Sequence, residues 1–490
     1  MRTLFVGVVA AFGFLSLCGC SGSSFHGTLG GGSGSGPTPE SGQPVVSGLS
    51  PASVVAGGPS FTITVSGKNF AQGDTVEWGS TPLSSAFVSS TTMTAEVPNQ
   101  LISHSTSDTI IVQTPVPYSL NFGATITVTA AQFPGSAGFT LSMVSVQAND
   151  MVWDPSSQQI YLSVAGTDTI NPNTITALDP ATGQLGASVS AGSGAFRLGV
   201  SSDGSLLYAG LNNNGSVQRF TLPGLAKDIT IPLGGGTWAA DIEPAPGSPD
   251  TVAVSRATSL TAPGSVVIYD GSTPRSATVS TVPGPSEPLR SLAWNSNGLD
   301  IYASFNDFAS TDTLFALSVS ADGVQLSKSD QLMTGDNAFS MGNIHYSTLT
   351  GYLYADDGPI IDPSAGSVVN HLPLAAVEEG FGFTYASPVL TLDDNLGIAW
   401  VIGQLVGSPS QQYVLEAFDL RTDALLGSIA IPDVVGTPVK LIRWGSNGLA
   451  FLTSGANGPQ QGNGVYLISG DFVTTPSAQI RSMAGLQDRP

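Results

Sequence analysis

Eight residues recur at similar places along this chain, each just ahead of an apolar run: Asn149, Phe196, Arg197, Trp238, Arg290, Phe339, Phe381 and Lys440. Asp150, Leu289, Asn343 and Phe383 accompany them. Aromatic walls with a few convergent polar groups are the usual chemistry of a ligand site. Cations beside aromatic faces suit carbohydrate, peptide or small anionic ligands. With only 14 Lys and Arg in the chain, three cations at equivalent positions are an unusual concentration. The bland alternative is that these side chains plug a channel and pack between repeated units.

Other chemistry is sparse. The four histidines are His26, His104, His345 and His371. They form no HExxH and no pair at metal-ligand spacing, so no metal and no cofactor is expected. The turns Asp356-Asp357-Gly358 and Asp393-Asp394-Asn395 lack the alternating acids and distal Glu of a calcium loop. Asp, Asn and Gly favour tight turns for backbone reasons alone. No Gly-x-Ser-x-Gly elbow is present, and both cysteines lie at the extreme N-terminus, so no catalytic residue is assigned. His345 falls in an inner-strand phrase and reads as a buried or pore-lining residue. The pair Glu378-Glu379 reads as solvated acids, and Gly234-Gly235-Gly236 precedes a strand rather than a phosphate-binding helix.

A repeat positions these residues. An apolar run, a turn of Asp, Asn, Pro, Gly or Ser, and a second apolar run recur at 151–164, 198–211, 292–305, 344–355, 390–402 and 441–453. A weaker copy with a Pro-rich turn spans 239–255. The interval of roughly 43–52 residues is that of propeller blades. Third-strand phrases follow at 174–179, 217–222, 265–270, 313–319, 414–419 and 464–469, and fourth-strand phrases at 184–189, 228–233, 367–374 and 425–431. One strand, 139–146, precedes the first complete repeat, and after the last repeat Pro476 interrupts the short 472–475 run. The early strand is therefore expected to complete the final blade and hide its edge. Seven hairpins give a seven-bladed propeller over 137–475, with a tail at 476–490. In it the eight recurring residues occupy loops entering the innermost strands, at the channel mouth.

Composition agrees with an all-β chain. Gly (59) and Pro (33) are abundant, and apolar residues make up 41% of 490. The formal net charge of -21 argues against nucleic acid, which demands a basic surface. Residues 21–43 contain the run Gly30-Gly31-Gly32-Ser33-Gly34-Ser35-Gly36 and too few apolar residues to fold, so they read as a tether. Short alternating runs at 61–65, 75–78, 94–97, 109–112 and 124–128, punctuated by turn residues, predict a small β-sandwich over 44–130.

Three resemblances add to this. Arg2, the apolar stretch 4–17 and Leu17-Cys18-Gly19-Cys20 resemble a bacterial lipoprotein signal, which implies a lipidated Cys20 and an exported chain anchored to the cell envelope. Membrane contact is then through the lipid anchor only. Leu49-Ser50-Pro51-Ala52-Ser53, Gly57-Gly58, 61–65, Gly67-Lys68-Asn69-Phe70, Val76-Glu77-Trp78 and Ala95-Glu96-Val97-Pro98 resemble an IPT/TIG domain. That implies an immunoglobulin-like fold acting as a spacer or binding surface, with Asn69 in a turn and Phe70 in the core. Ala177-Leu178-Asp179-Pro180-Ala181-Thr182-Gly183 and Phe418-Asp419-Leu420-Arg421-Thr422-Asp423 resemble the YVTN or lactonase-like propellers. Three functions stay open: a non-enzymatic lipoprotein binding a protein, peptide or glycan; a lactonase-like or lyase-like enzyme at the channel mouth; or a purely structural envelope component.

Overall fold

A computed structural model describes residues 42–55, 60–102, 106–115, 122–129, 139–259, 262–280, 282, 287–305, 313–332, 341–374, 388–404, 413–455, 464–477 and 480. Cys20, residues 21–41 of the tether, His104, Phe339, Glu378, Glu379, Phe381 and Phe383 lie outside these residues. The chain divides into two units, Met1–Gln43 and Pro44–Pro490.

The first folded part is a two-sheet sandwich. One sheet runs Val45–Ser50, Phe61–Lys68, Thr92–Val97 and Ser84–Ser89 in spatial order. The other runs Ser53–Val55, Ala124–Thr129, Thr106–Gln113, Thr75–Trp78 and Thr81–Pro82. Alternation along each strand sends every second side chain inward, and Ile63, Val65, Trp78, Met93, Ile110 and Ile126 form the core. Asn69 takes the left-handed conformation at φ 62°, which Asn tolerates better than most residues. Phe70 beside it is buried, as the sequence implied.

Seven four-stranded sheets follow among the described residues. The first blade is Ala148–Asp154, Gln159–Val164, Thr174–Asp179 and Gln184–Ser190. The second is Ala195–Val200, Leu206–Leu211, Ser216–Thr221 and Ala226–Pro232, and the third Trp238–Ala245, Ser248–Ala257, Ser265–Asp270 and Thr273–Pro274. The fourth is Ser291–Trp294, Asp300–Ser304, Thr313–Ser320 and Gly323–Gln331, and the fifth Ile344–Tyr346, Leu353–Ala355, Pro359–Asp362 and Ser367–His371. The sixth is Val389–Asp393, Ile398–Gln404, Tyr413–Asp419 and Leu425–Ile431. The seventh combines Thr437–Trp444, Gly448–Ser454 and Gly464–Ser469 with Thr140–Val144 from before the first blade. That early strand pairs antiparallel with the last one, Thr140 opposite Ser469 through Val144 opposite Val465, so the final sheet is closed from the other end of the domain.

Packing shows that the blades form a closed ring. Each of seven apolar clusters joins two consecutive blades. Tyr161 and Ala177 meet Leu198 and Leu207 between the first and second. Leu206 and Tyr208 meet Ile242 and Val254 between the second and third, and the next four interfaces repeat the arrangement. The seventh cluster closes the circle, with Met151, Ile160 and Leu162 of the first blade against Trp444, Ala450 and Leu452 of the seventh.

The outer turns explain the Asp-x-x-Thr-Gly phrase. Asp179 accepts bonds from the Ala181 N–H (2.9 Å) and the Thr182 hydroxyl (2.8 Å), and Gly183 follows at φ 70°. Asp419 does the same for Arg421 and Thr422, and Asp423 takes the left-handed position at φ 58° where the first copy has glycine. The carboxylate satisfies turn N–H groups that no strand can reach.

Several strands were not legible in the sequence. Gly323–Gln331 is mostly polar, with Gln325, Ser327, Lys328 and Ser329 exposed, and Pro359–Asp362 is only four residues long. In the third blade Pro274 stops the outer strand after two residues, leaving an isolated Val266–Val279 bridge to continue the edge. The segment read as a tail begins by docking: the Ser477 N–H donates to Leu396 O (3.0 Å) and Ile480 is buried with the sixth and seventh blades.

Met151 is fully buried at the closing interface, whereas Met143 on the added strand is 50% exposed. Met151→Ala is expected to cost about 2–5 kcal/mol, and Met143→Ala about 0.5 kcal/mol or less. Denaturant unfolding of both variants checks the difference.

Candidate functional site

The innermost strands converge on a cavity of about 110 Å³. It is lined from the second to the seventh blade, with Arg197, Asp241, Glu243, Arg290, Asn343, His345, Asp356 and Lys440 as its polar wall. Leu292, Ile344, Val389, Leu390, Val439 and Leu441 complete it.

Bulges set the direction of the charged side chains. In the first blade Ala148 pairs with Val164 and Asp150 with Ser163, so Asn149 is the extra residue. The second blade places Phe196 and Arg197 opposite one residue, the third inserts Ala240 before Asp241, and the seventh inserts Val439 before Lys440. An extra residue twists the strand and re-aims its neighbours. Asp150, Arg197, Asp241 and Lys440 therefore occupy equivalent places, each at or just after a bulge. Ser291, Asn343 and Val389 take that place in the fourth, fifth and sixth blades.

These groups tie one blade to the next. The Asp150 carboxylate accepts from the Leu198 N–H of the second blade (2.9 Å), and Asp241 from the Leu292 N–H of the fourth (2.7 Å). The Ser291 hydroxyl accepts from the Ile344 N–H of the fifth blade (3.0 Å). Asp356 lies across from Asn343, where other blades put Ser163, Ser255 and Ser304. It accepts from the Asn343 N–H (2.9 Å), the Asn343 amide (2.8 Å), His345 Nε2 (3.0 Å) and the Leu390 N–H of the sixth blade (3.0 Å). Lys440 Nζ of the seventh blade donates to Asp150 Oδ1 of the first at 2.5 Å, closing the circle of polar ties. Arg443 binds Asp393 of the sixth blade at 2.7 Å.

The sequence-derived candidates divide accordingly. Arg197, Arg290 and Lys440 come together around the cavity. Arg197 also donates from Nε to Ala240 O (3.1 Å), and its guanidinium stands 5.1 Å from the Phe196 ring centroid. Asn149 lies outside the lining and donates from Nδ2 to Ala195 O of the next blade (2.7 Å). Phe196 and Trp238 are half-buried at the heads of their strands and outside the lining. His345 lines the cavity, as a pore-lining residue should. Among the described residues no three His, Cys, Asp or Glu side chains are gathered closely enough to hold a metal ion.

Three lining acids escaped the sequence reading: Asp241, Glu243 and Asp356. Asp241 has the same spacing from its apolar run as Asp150, which was a usable signal. Asp356 was disguised by Asp357-Gly358 as a turn acid. Glu243 carried no signal, because a lone Glu ahead of Pro244 marks a strand end as readily as a site.

Glu243 is electrostatically distinct. It keeps part of its surface open to the channel yet is ringed by protein. Burial holds its carboxyl well above the usual carboxylate range; Asp241 and Asp150 push it further up, and Lys440 pulls it down. Burial also raises Asp241, against the Arg197 charge and the N–H bonds from Leu292 and Ile242. With those N–H donors aimed at Asp241, Glu243 is the group that keeps the proton.

The family model for the IPT/TIG domain matches residues 44–122. The strand Ala124–Thr129 lies past that match and pairs into the second sheet of the sandwich. No curated protein matches the chain. Among solved structures, the WD40 repeats of RRP9 are 14% identical with a TM-score of 0.50, over 69% of this chain and 99% of that one. U3-55K is 14% identical with a TM-score of 0.49, over 67% and 98%. Kuenenia stuttgartiensis hydrazine synthase is 14% identical with a TM-score of 0.48, over 68% and 98%. At such identity the RRP9 likeness is one of fold: this chain carries a β-propeller.

Glu243→Gln tests the buried proton. The unfolded chain loses that proton near the ordinary Glu value of 4.5, the folded chain only at higher pH. Below 4.5 both states are protonated and ionisation takes nothing from stability; above it the wild type loses stability as pH rises toward the folded value. The variant cannot ionise. Its melting temperature relative to wild type should climb as pH rises above about 4.5 and should be flat below that.

Proposed function

We propose that this chain is a non-enzymatic lipoprotein of the cell envelope. Cys20 carries the anchor, residues 21–43 are the tether, and the IPT/TIG module is a spacer. The propeller, of the YVTN type, offers a binding face to a protein, peptide or glycan. One observation carries the reading: three of the carboxylates at the propeller centre are bonded to the neighbouring blades. Asp150, Asp241 and Asp356 each accept a backbone N–H from the next blade, and Lys440 holds Asp150. A general base must be free to take a substrate proton, and carboxylates fixed this way serve the scaffold instead. Propeller likeness supports an interaction surface, since radial sheets present loop-rich faces and protected edges.

The second reading, a lactonase-like hydrolase at the channel mouth, draws on the His345–Asp356 pair in the cavity wall. Turnover of lactone esters that His345→Ala abolishes would establish it and displace the scaffold reading.

Two results are expected. Cys20→Ala moves the protein from the membrane fraction to the soluble fraction, because stable attachment depends on the acyl chains; a variant still in the membrane fraction removes the anchor. Trp238→Ala, tested against envelope proteins and glycans on an array, weakens the bound partner by about tenfold, the order expected of an aromatic anchor. Unchanged binding places the partner elsewhere.

A further inference from the structure

Hydrogen bonding around the cavity leaves one strong donor unused. Asp241 accepts from the Ile242 and Leu292 N–H groups, and Asp356 accepts from Asn343, His345 and Leu390. The Ser291 hydroxyl accepts from the Ile344 N–H, and Lys440 donates to Asp150. Arg197 differs from these. Its Nε donates to Ala240 O, the bulge residue of the third blade, and its guanidinium stands 5.1 Å from the Phe196 ring centroid. Among the described residues its two terminal amino groups have neither a hydrogen-bond acceptor nor an ion-pair partner, although the residue is half-buried and lines the cavity. A guanidinium is a rigid fork of N–H donors, and here the protein engages only the Nε–H. The Ala240 bond and the Phe196 ring hold that fork in place before any ligand arrives, which lowers the cost of binding one.

Shape, charge and size narrow what would meet it. Two coplanar oxygens that share one negative charge fit an Arg fork through paired hydrogen bonds. Arg197, Arg290 and Lys440 line the cavity with Asp241, Glu243 and Asp356, so charges of both signs balance and a polyanion finds no net attraction. A water site takes about 10–15 Å³, so a cavity of about 110 Å³ admits a ligand of a few heavy atoms and not a sugar ring. Leu292, Ile344, Val389, Val439 and Leu441 give such a ligand an aliphatic wall. Of the lining acids, Asp241 and Asp356 already have N–H donors against their charge. Glu243 has none, but burial favours its uncharged, protonated form, which does not repel an anion.

We propose that the centre of the propeller binds one carboxylate carried on a short aliphatic chain, with its two oxygens on the terminal amino groups of Arg197 and its chain against the aliphatic wall. The carboxylate comes either from a small free acid or from an acidic side chain offered by a partner. This goes beyond the scaffold reading: it places a second site at the centre, and it depends on neither the anchor nor the partner on the outer face. Arg290 of the fourth blade lines the same cavity and adds positive charge on the side away from Phe196 and the second blade.

The test is isothermal titration calorimetry on the purified full chain with sodium propionate, Nα-acetyl-glutamate methylamide, sodium phosphate and propylammonium. Propionate should bind, and phosphate and propylammonium should bind at least tenfold more weakly. Arg197→Gln should weaken propionate at least tenfold, about 1.4 kcal/mol. Arg197→Lys keeps the charge but loses the fork, and should weaken it by roughly threefold or more. Tighter binding of the glutamate derivative points to a partner side chain, and tighter binding of propionate to a free acid. No binding of either carboxylate, phosphate or propylammonium binding as tightly as propionate, or equal propionate affinity in wild type and Arg197→Gln overturns the proposal. The ligand series is read on the wild type alone, so the test stands even if a variant folds poorly.

Discussion

Sheets stacked around an axis share no backbone ladder, and that constraint governs the propeller. Within a blade, N–H and C=O groups satisfy one another. Between blades the connection falls mainly to side chains, apart from an isolated backbone bridge such as that of Ala277 with Gly323 between the third and fourth. Apolar clusters supply the bulk of it, one for each pair of neighbours. Such packing is non-directional, so it joins blades without fixing their register. The polar ties add direction. A carboxylate or hydroxyl on one innermost strand receives the N–H of the next, as Asp150 does for Leu198, Asp241 for Leu292 and Ser291 for Ile344. The ring must also meet itself, and both devices reappear there: Thr140–Val144 completes the last sheet, and Lys440 reaches Asp150.

Drawing carboxylates into the centre has a cost in desolvation. The chain offsets it with backbone N–H groups and with cations. Arg197, Arg290 and Lys440 are three of only 14 basic residues, and they meet around the central cavity of a chain with a net charge of -21. Their clustering, which as sequence looked like a ligand rim, also sets positive charge against the central acids, Lys440 on Asp150 and Arg197 near Asp241. Glu243 stands outside that arrangement: it lines the cavity, and among the described residues its carboxyl has no hydrogen-bond partner.

The blade count and the closing strand were legible because both depend on period and edge. Hairpins at regular spacing admit few architectures, and 139–146 was a strand without a partner of its own. The IPT/TIG module was legible from local phrases, including the left-handed Asn69 and buried Phe70. What escaped was set by tertiary context. Val45–Ser50 and Ser84–Ser89 are weakly alternating edge strands whose place is decided by their neighbours. Asp356 differs from an ordinary turn acid through Asn343 and His345 on the neighbouring strand and Leu390, 34 residues away. Three of the eight expected rim residues, Arg197, Arg290 and Lys440, meet around the cavity because bulges and register bring them there, which spacing alone does not reveal.

The most direct test of the view that central charges hold the ring closed is a double-mutant cycle on Lys440 and Asp150, with Lys440→Met, Asp150→Asn and the pair compared by urea unfolding. The account predicts a coupling energy above about 1 kcal/mol between residues 290 positions apart in the chain. Additivity within about 0.3–0.5 kcal/mol, the behaviour of independent sites, would contradict it.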